Sequence, residues 1–141
     1  MASVNTQKMT DITSVPKVMV KASEAHGRKR VWYDTYEAAA LASGSDITFA
    51  RLPKGATIYN VKLMCDALGA GVTLDVGDSA DADRFIAKGS TTWNTANQVV
   101  DSNAIAGVGY TLTAETDLVI TTGGASATGT IKVMVEYSLG D

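Results

Sequence analysis

Three carboxylates fall within six residues at Asp78, Asp81 and Asp83, in the run Gly77-Asp78-Ser79-Ala80-Asp81-Ala82-Asp83. Clustered oxygens of this kind are the raw material of a calcium site. The helix-flanked calcium loop, however, needs acids at alternate positions, a central glycine and a closing glutamate. Here Arg84 follows and that glutamate is missing, so the run reads as a solvated hairpin tip, with an ion site as the competing reading. Arg84 is expected to pair with one of these aspartates.

Nucleophilic catalysis needs an activated serine, threonine or cysteine beside a base. His26 is the one imidazole in the chain, and it sits in the polar stretch Glu24-Ala25-His26-Gly27-Arg28, where water surrounds it and nothing orients it. Ser14 and Lys17 have Ser-x-x-Lys spacing, but that pair works on a helix with further motifs, and Pro16 lies between them. Cys65 falls at an inward position of an alternating strand, where a thiol behaves as a small inert hydrophobe. One cysteine and one histidine exclude a disulfide framework and the usual zinc clusters. The glycine pairs Gly69/Gly71 and Gly107/Gly109 lack the third glycine and the following helix of a dinucleotide fingerprint, and read as turns. The residues point away from catalysis, and no cofactor is expected.

Two groups suit contact rather than reaction. Trp32, Tyr33 and Tyr36 form the one dense aromatic group; alternation puts Trp32 and Tyr36 on one face and Tyr33 on the other. One face reads as core, with an interface or sugar-stacking platform as the alternative. Just ahead lies Arg28-Lys29-Arg30, too short a cluster for useful nucleic-acid affinity beside an acidic body. Contact with an acidic protein surface is as good a reading, and no direct nucleic-acid binding is expected.

These residues sit in a chain of 141 residues, long enough for one core, with 45% hydrophobic and 19% charged residues. The net charge of -3 hides an asymmetry. Residues 1–30 carry six basic side chains against Asp11 and Glu24, whereas residues 31–141 carry six against thirteen acids. The first thirty residues therefore read as a basic, extended N-terminal arm and 31–141 as the folded body. No apolar run suits a secretory signal or a membrane span, so no membrane partner is expected.

From Val31 onward the hydrophobic period is two, which predicts strands. Tyr59, Val61, Leu63 and Cys65 alternate with Ile58, Asn60, Lys62 and Met64; Val72, Leu74 and Val76 alternate with Thr73 and Asp75; Ile131, Val133, Val135 and Tyr137 alternate with Lys132, Met134 and Glu136. Further strands are expected at 17–21, 31–36, 46–52, 84–87, 109–112 and 117–121, about nine in all, with 36–42 as a strand end or a short helix. Glycine-rich turns at 43–45, 53–55, 69–71, 77–79 and 123–124 separate them. Short strands at such intervals predict an all-β, antiparallel β-sandwich, with jelly-roll type favoured over a parallel sheet.

Several phrases in order carry a family resemblance: Glu24-Ala25-His26-Gly27, Val31-Trp32-Tyr33-Asp34, Arg51-Leu52-Pro53-Lys54-Gly55-Ala56, Ala67-Leu68-Gly69, Val72-Thr73-Leu74-Asp75-Val76-Gly77-Asp78, Asp83-Arg84-Phe85, Leu112-Thr113-Ala114-Glu115-Thr116-Asp117 and Thr121-Thr122-Gly123-Gly124. Over residues 15–138 the chain resembles small virion structural proteins of tailed bacteriophages, most of all a capsid decoration, or cement, protein. The resemblance implies a jelly roll that sits as a homo-oligomer, a trimer being favoured, on the outer surface of the capsid. It also implies the major capsid protein as partner, synthesis in the host cytoplasm, and resistance of the shell to the pressure of packed DNA without any reaction.

Charge and aromatic placement, not the resemblance, select Lys17, Lys21, Arg28, Lys29 and Arg30 for capsid contact, with Trp32 and Tyr36 as anchors. The alternative function is a receptor- or carbohydrate-binding module of a fibre or tail. Trp93, in the polar run Thr91-Thr92-Trp93-Asn94-Thr95, is its best candidate platform.

Overall fold

The computed structural model describes residues 13–16, 19, 27–87 and 92–140. Their regular structure is almost entirely strand: β1 (Arg30–Leu41), β2 (Asp46–Leu52), β3 (Ala56–Cys65), β4 (Thr73–Gly77), β5 (Gln98–Asp101), β6 (Tyr110–Thr111), β7 (Thr116–Gly123) and β8 (Ala127–Leu139). Single 3-10 turns occur at Thr92–Asn94 and Ile105–Gly107. The expected strand at 17–21 lies outside the described residues apart from Met19. The stretch 36–42, open between strand and short helix, is strand as far as Leu41.

The strands form two antiparallel sheets. The larger runs β1-β8-β3-β5 with β6 also on β3, and the smaller runs β2-β7-β4. Phe85 and Ile86 hydrogen-bond to Val76 and continue the smaller sheet beyond β4. Strands β1 to β4 alternate between the sheets, and the two C-terminal strands insert among them, β7 between β2 and β4 and β8 between β1 and β3. That interleaving is the jelly-roll order, so the expected β-sandwich is the observed one. The 84–87 and 109–112 strands shrink to the Ile86 bridge and to Tyr110–Thr111, and β5 was not expected at all.

The core lies between the sheets, where period-two side chains from both inner faces meet. Val61, Leu63 and Cys65 of β3 and Ile131, Val133 and Val135 of β8 are buried as alternation predicts, facing Leu74, Val76, Leu118 and Ile120 of the smaller sheet. One expectation fails at the start of β3. Ile58 is fully buried and Tyr59 half-buried, the reverse of the simple pattern. A bulge lies between Ile58 and Asn60, opposite Tyr137 and Glu136, and one extra residue switches the side chains to the other face. The extra residue lies on β3, so β8 keeps its own alternation: half-buried Tyr137, opposite Ile58, packs against the core, and buried Ser138, opposite Thr57, has its Oγ 3.1 Å from Tyr59 Oη.

The acidic run is not wholly the solvated tip expected of it. Asp78 is 7% exposed; its Oδ1 accepts from the N–H groups of Ala80 and Asp81 at 2.9 Å each, and its Oδ2 accepts from Arg84 Nε at 2.8 Å. That hydrogen bond is the main cause holding the Arg84 guanidinium above its ordinary pKa. The same guanidinium lies 4.1 Å from the centroid of the Tyr110 ring on β6, so one buried ion pair ties the loop to the larger sheet. Gly77 makes the fold-back possible, because a Cβ there would overlap the Asp81 carbonyl.

Asp78→Ala leaves the Arg84 charge without its anion in a poorly hydrated site. Urea denaturation should show a loss of about 3 kcal/mol. A loss below about 1 kcal/mol, the range of an exposed pair, would contradict the lock.

Candidate interaction surface

The surface is built on β1, which ends the larger sheet. It pairs with β8 alone, and among the described residues no strand pairs with its other edge. Its register sets Trp32 opposite Val135, Asp34 opposite Val133 and Tyr36 opposite Ile131, so these three share the core-facing side of the sheet. They overhang the open margin of the sandwich instead of filling it. Trp32 remains 37% and Tyr36 38% exposed, and of twelve residues in β1 only Ala38 is buried. A cavity of about 110 Å³ lies beneath Tyr36, walled by Phe49 of β2 and by Ile120, Ile131 and Val133. The aromatic pair is therefore neither core nor a fully formed platform.

Arg28, Lys29 and Arg30 are exposed where the chain enters this strand. Lys29 Nζ lies 3.5 Å from Glu136 Oε1. The structure brings these three together with Trp32 and Tyr36 on one edge. Lys17 and Lys21, the other cations selected from the sequence, lie outside the described residues, as does His26. Ser14 donates to the Pro16 carbonyl at 3.0 Å.

The outer faces of the two sheets differ in chemistry. On the larger sheet Val31, Tyr33, Met64 and Val99 are exposed, and the register carries Tyr33 to Met134 and Met64 to Val99 across neighbouring strands. A hollow of about 140 Å³ is lined by Tyr33, Met64, Met134, Lys62 and Lys132. On the smaller sheet the outer face is polar; Arg51 Nε and Nη2 donate to the two carboxylate oxygens of Asp117 at 2.6 and 2.9 Å, which holds the Asp117 carboxyl below its ordinary range. Sequence reasoning flagged Tyr33 but not Met64, Met134 or Val99. The available signal was two methionines at positions that alternation assigns to water.

The remaining candidates occupy structural places. Cys65 is buried, and desolvation, with a smaller contribution from Asp66, pushes its thiol up to about 12, so it stays protonated and unreactive near neutral pH. Gly69 and Gly71 have positive φ, as turns require. Trp93 corrects an expectation: it is fully buried, and its carbonyl accepts from the Leu68 N–H at 2.6 Å. The polar run around it disguised a core residue, and a sugar cannot stack on a ring with no exposed face.

No protein-family model and no curated protein sequence matches the chain. Solved structures do match. A chain of the cyanophage Pam1 capsid asymmetric unit superposes with a TM-score of 0.68 at 27% identity, over 80% of this chain and 86% of that one. The fold is that of a phage capsid component. A chain from the capsid of Ralstonia phage GP4 gives a TM-score of 0.61 at 21% identity, covering 82% of this chain and 85% of that chain. One from the acid-stable capsid of Helicobacter pylori bacteriophage KHP30 gives 0.61 at 15%, covering 79% and 87%. The last two show the fold alone. High coverage on both sides means that the matched chains are close to this one in length, so the likeness extends over most of each chain. Together with the phrases quoted from the sequence, these findings support a structural role in a phage virion.

Trp93→Ala should cost about 3–5 kcal/mol in chemical denaturation, the range for emptying a large buried site. A change within about 0.5 kcal/mol, as expected of a surface position, would restore Trp93 as a binding candidate.

Proposed function

We propose that this protein is a phage head decoration, or cement, protein. It binds the outer surface of the capsid as an oligomer and stabilises the shell against the pressure of internal DNA. Its partner is the major capsid protein, and the sequence resemblance favours a trimer. The observation that carries the reading is the Pam1 capsid likeness, at 27% identity over most of two chains of similar length.

The physical chemistry of the surface suits this task. What the body presents is a strand edge, an apolar sheet face and a group of cations, all of which make contacts and none of which breaks a bond. Each copy need contribute only a few kcal/mol, because many copies on a symmetric lattice act together. The arm of residues 1–30 supplies the long-range attraction through Lys17, Lys21, Arg28, Lys29 and Arg30, and complementary charge sets capture rate and register more than affinity. Trp32 and Tyr36 are the apolar anchors of the same surface, placed where they gain burial only on docking.

The test is rebinding of purified full-length protein to shells stripped of it. The intact chain should bind and raise the temperature at which shells rupture. Deleting residues 1–26, which precede β1, or reversing Arg28 and Lys29 to Glu should weaken binding and flatten its salt dependence. Binding that is unchanged by either alteration would reject the role of the arm, and failure of the intact chain to bind would reject the cement reading.

A further inference from the structure

We infer that β1 pairs edge to edge with β1 of a second copy, antiparallel and centred on Trp32, so that two larger sheets run on as one. This deepens the proposed function and rests on its reading of β1 as a virion-contact strand: Trp32 and Tyr36 keep a face for the shell, and the backbone edge of their strand takes a neighbouring copy.

The edge itself calls for a partner. Twelve residues of strand carry exposed apolar groups on both faces, Val31 and Tyr33 on one, Trp32 and Tyr36 on the other. The Thr35 N–H, instead of reaching another strand, is taken by the carboxylate of its neighbour Asp34 at 2.8 Å. Proteins that stay apart blunt such edges with short strands, prolines or lysines, and an extended edge left open is a template for another strand. Ahead of the irregularity between Ala38 and Leu41, the stretch from Arg30 to Glu37 that would pair has neither proline, lysine nor bulge.

Self-complementarity identifies the occupant. Two antiparallel copies of one strand, related by a two-fold axis perpendicular to the sheet, keep their faces, so opposed residues must come from the same face. Centred on Trp32, the pairing sets Arg30 opposite the second copy's Asp34 and, by symmetry, Asp34 opposite the second copy's Arg30. Trp32 meets its own equivalent, Val31 meets Tyr33, and Arg28 meets the Tyr36 ring. Neither Arg30 nor Asp34 has an ion-pair partner among the described residues. Opposite charges directly across a strand pair favour it, and like charges oppose it.

Neighbouring registers are poorer. A centre on Tyr33 sets Trp32 against the Asp34 carboxylate, and one on Asp34 sets two carboxylates together. A centre on Val31 leaves only Arg30 to Trp32 opposed within β1 and sets Arg30 against Trp32 instead of Asp34. A two-fold contact does not close a trimer; it joins one oligomer to the next, and it leaves the outer face around Tyr33 and Met64 open on one side.

Single-cysteine variants of the full chain test the register. Lys29→Cys and Thr35→Cys proteins, concentrated and oxidised together, should form a disulfide-linked heterodimer, and neither should form one alone. Only the mixture sets thiols on opposed residues, within the Cα separation that a disulfide spans. Lys29→Cys mixed with Tyr33→Cys should give none, and buried Cys65 should stay silent. Arg30→Asp or Asp34→Arg, each placed in both proteins, should abolish the cross-link, and the two together should restore it. These positions are exposed, so the variants retain the fold. A cross-link that is missing, that forms equally between all positions, or that the charge exchange fails to restore overturns the pairing. Specific cross-linking in protein that does not bind stripped shells would overturn the cement reading alone; shell binding without it would overturn the pairing alone.

Discussion

A strand at the margin of a sheet turns half of its backbone donors and acceptors to water, and the fold must either hide that edge or use it. In this jelly roll β1 is the edge in question. It is twelve residues long, pairs with β8 alone among the described residues, and is nearly all exposed. Its side chains sit where the sandwich gapes, with Trp32 and Tyr36 overhanging the gap. The rest of the body supplies a frame for this strand: β8 pairs with it in unbroken register from Arg30 to Ala38 and is itself flanked by β3 on the far side. Other strands also end a sheet, β5 the larger and β2 the smaller; the proposed function draws on what sets β1 apart, its length and the exposed Trp32 and Tyr36.

The frame is closed by a few local devices. The bulge at Tyr59 reconciles two stretches of β3 that face the core with opposite parity. The Asp78–Arg84 pair, stacked on Tyr110, closes the far end of the smaller sheet by fastening its loop to the larger one. The work of both devices is to keep two thin sheets in register, which matters for the proposed adhesive function, because a surface that deforms loses the benefit of repeated, identical contacts.

Much of the architecture is legible in the sequence because a two-residue period is a local signal and both sheets obey it. The inward sets Val61-Leu63-Cys65 and Ile131-Val133-Val135 can be read directly, and β2 spans the expected residues. What escapes is non-local. No local pattern marks the Tyr59 bulge, whose cause is the pairing with β8. The four residues of β5, Gln98–Asp101, carry too short a pattern to register. Trp93 misleads because its neighbours in sequence are polar while its neighbours in space are not. On the surface, the cations and aromatics around β1 stand out in the sequence, but the exposed edge does not, since edge position depends on strand order. The methionines of the larger sheet's outer face follow the same rule: alternation assigns them outward, and only the register reveals that they adjoin Tyr33 and Val99.

An electron-microscopy map of the native particle, resolved well enough to trace strands, tests the central claim most directly. The account predicts this jelly roll on the outer surface of the head, in many symmetry-related copies, with β1 buried in a contact at every position. A map placing the chain on the tail, or on the head with β1 facing solvent throughout, would contradict it.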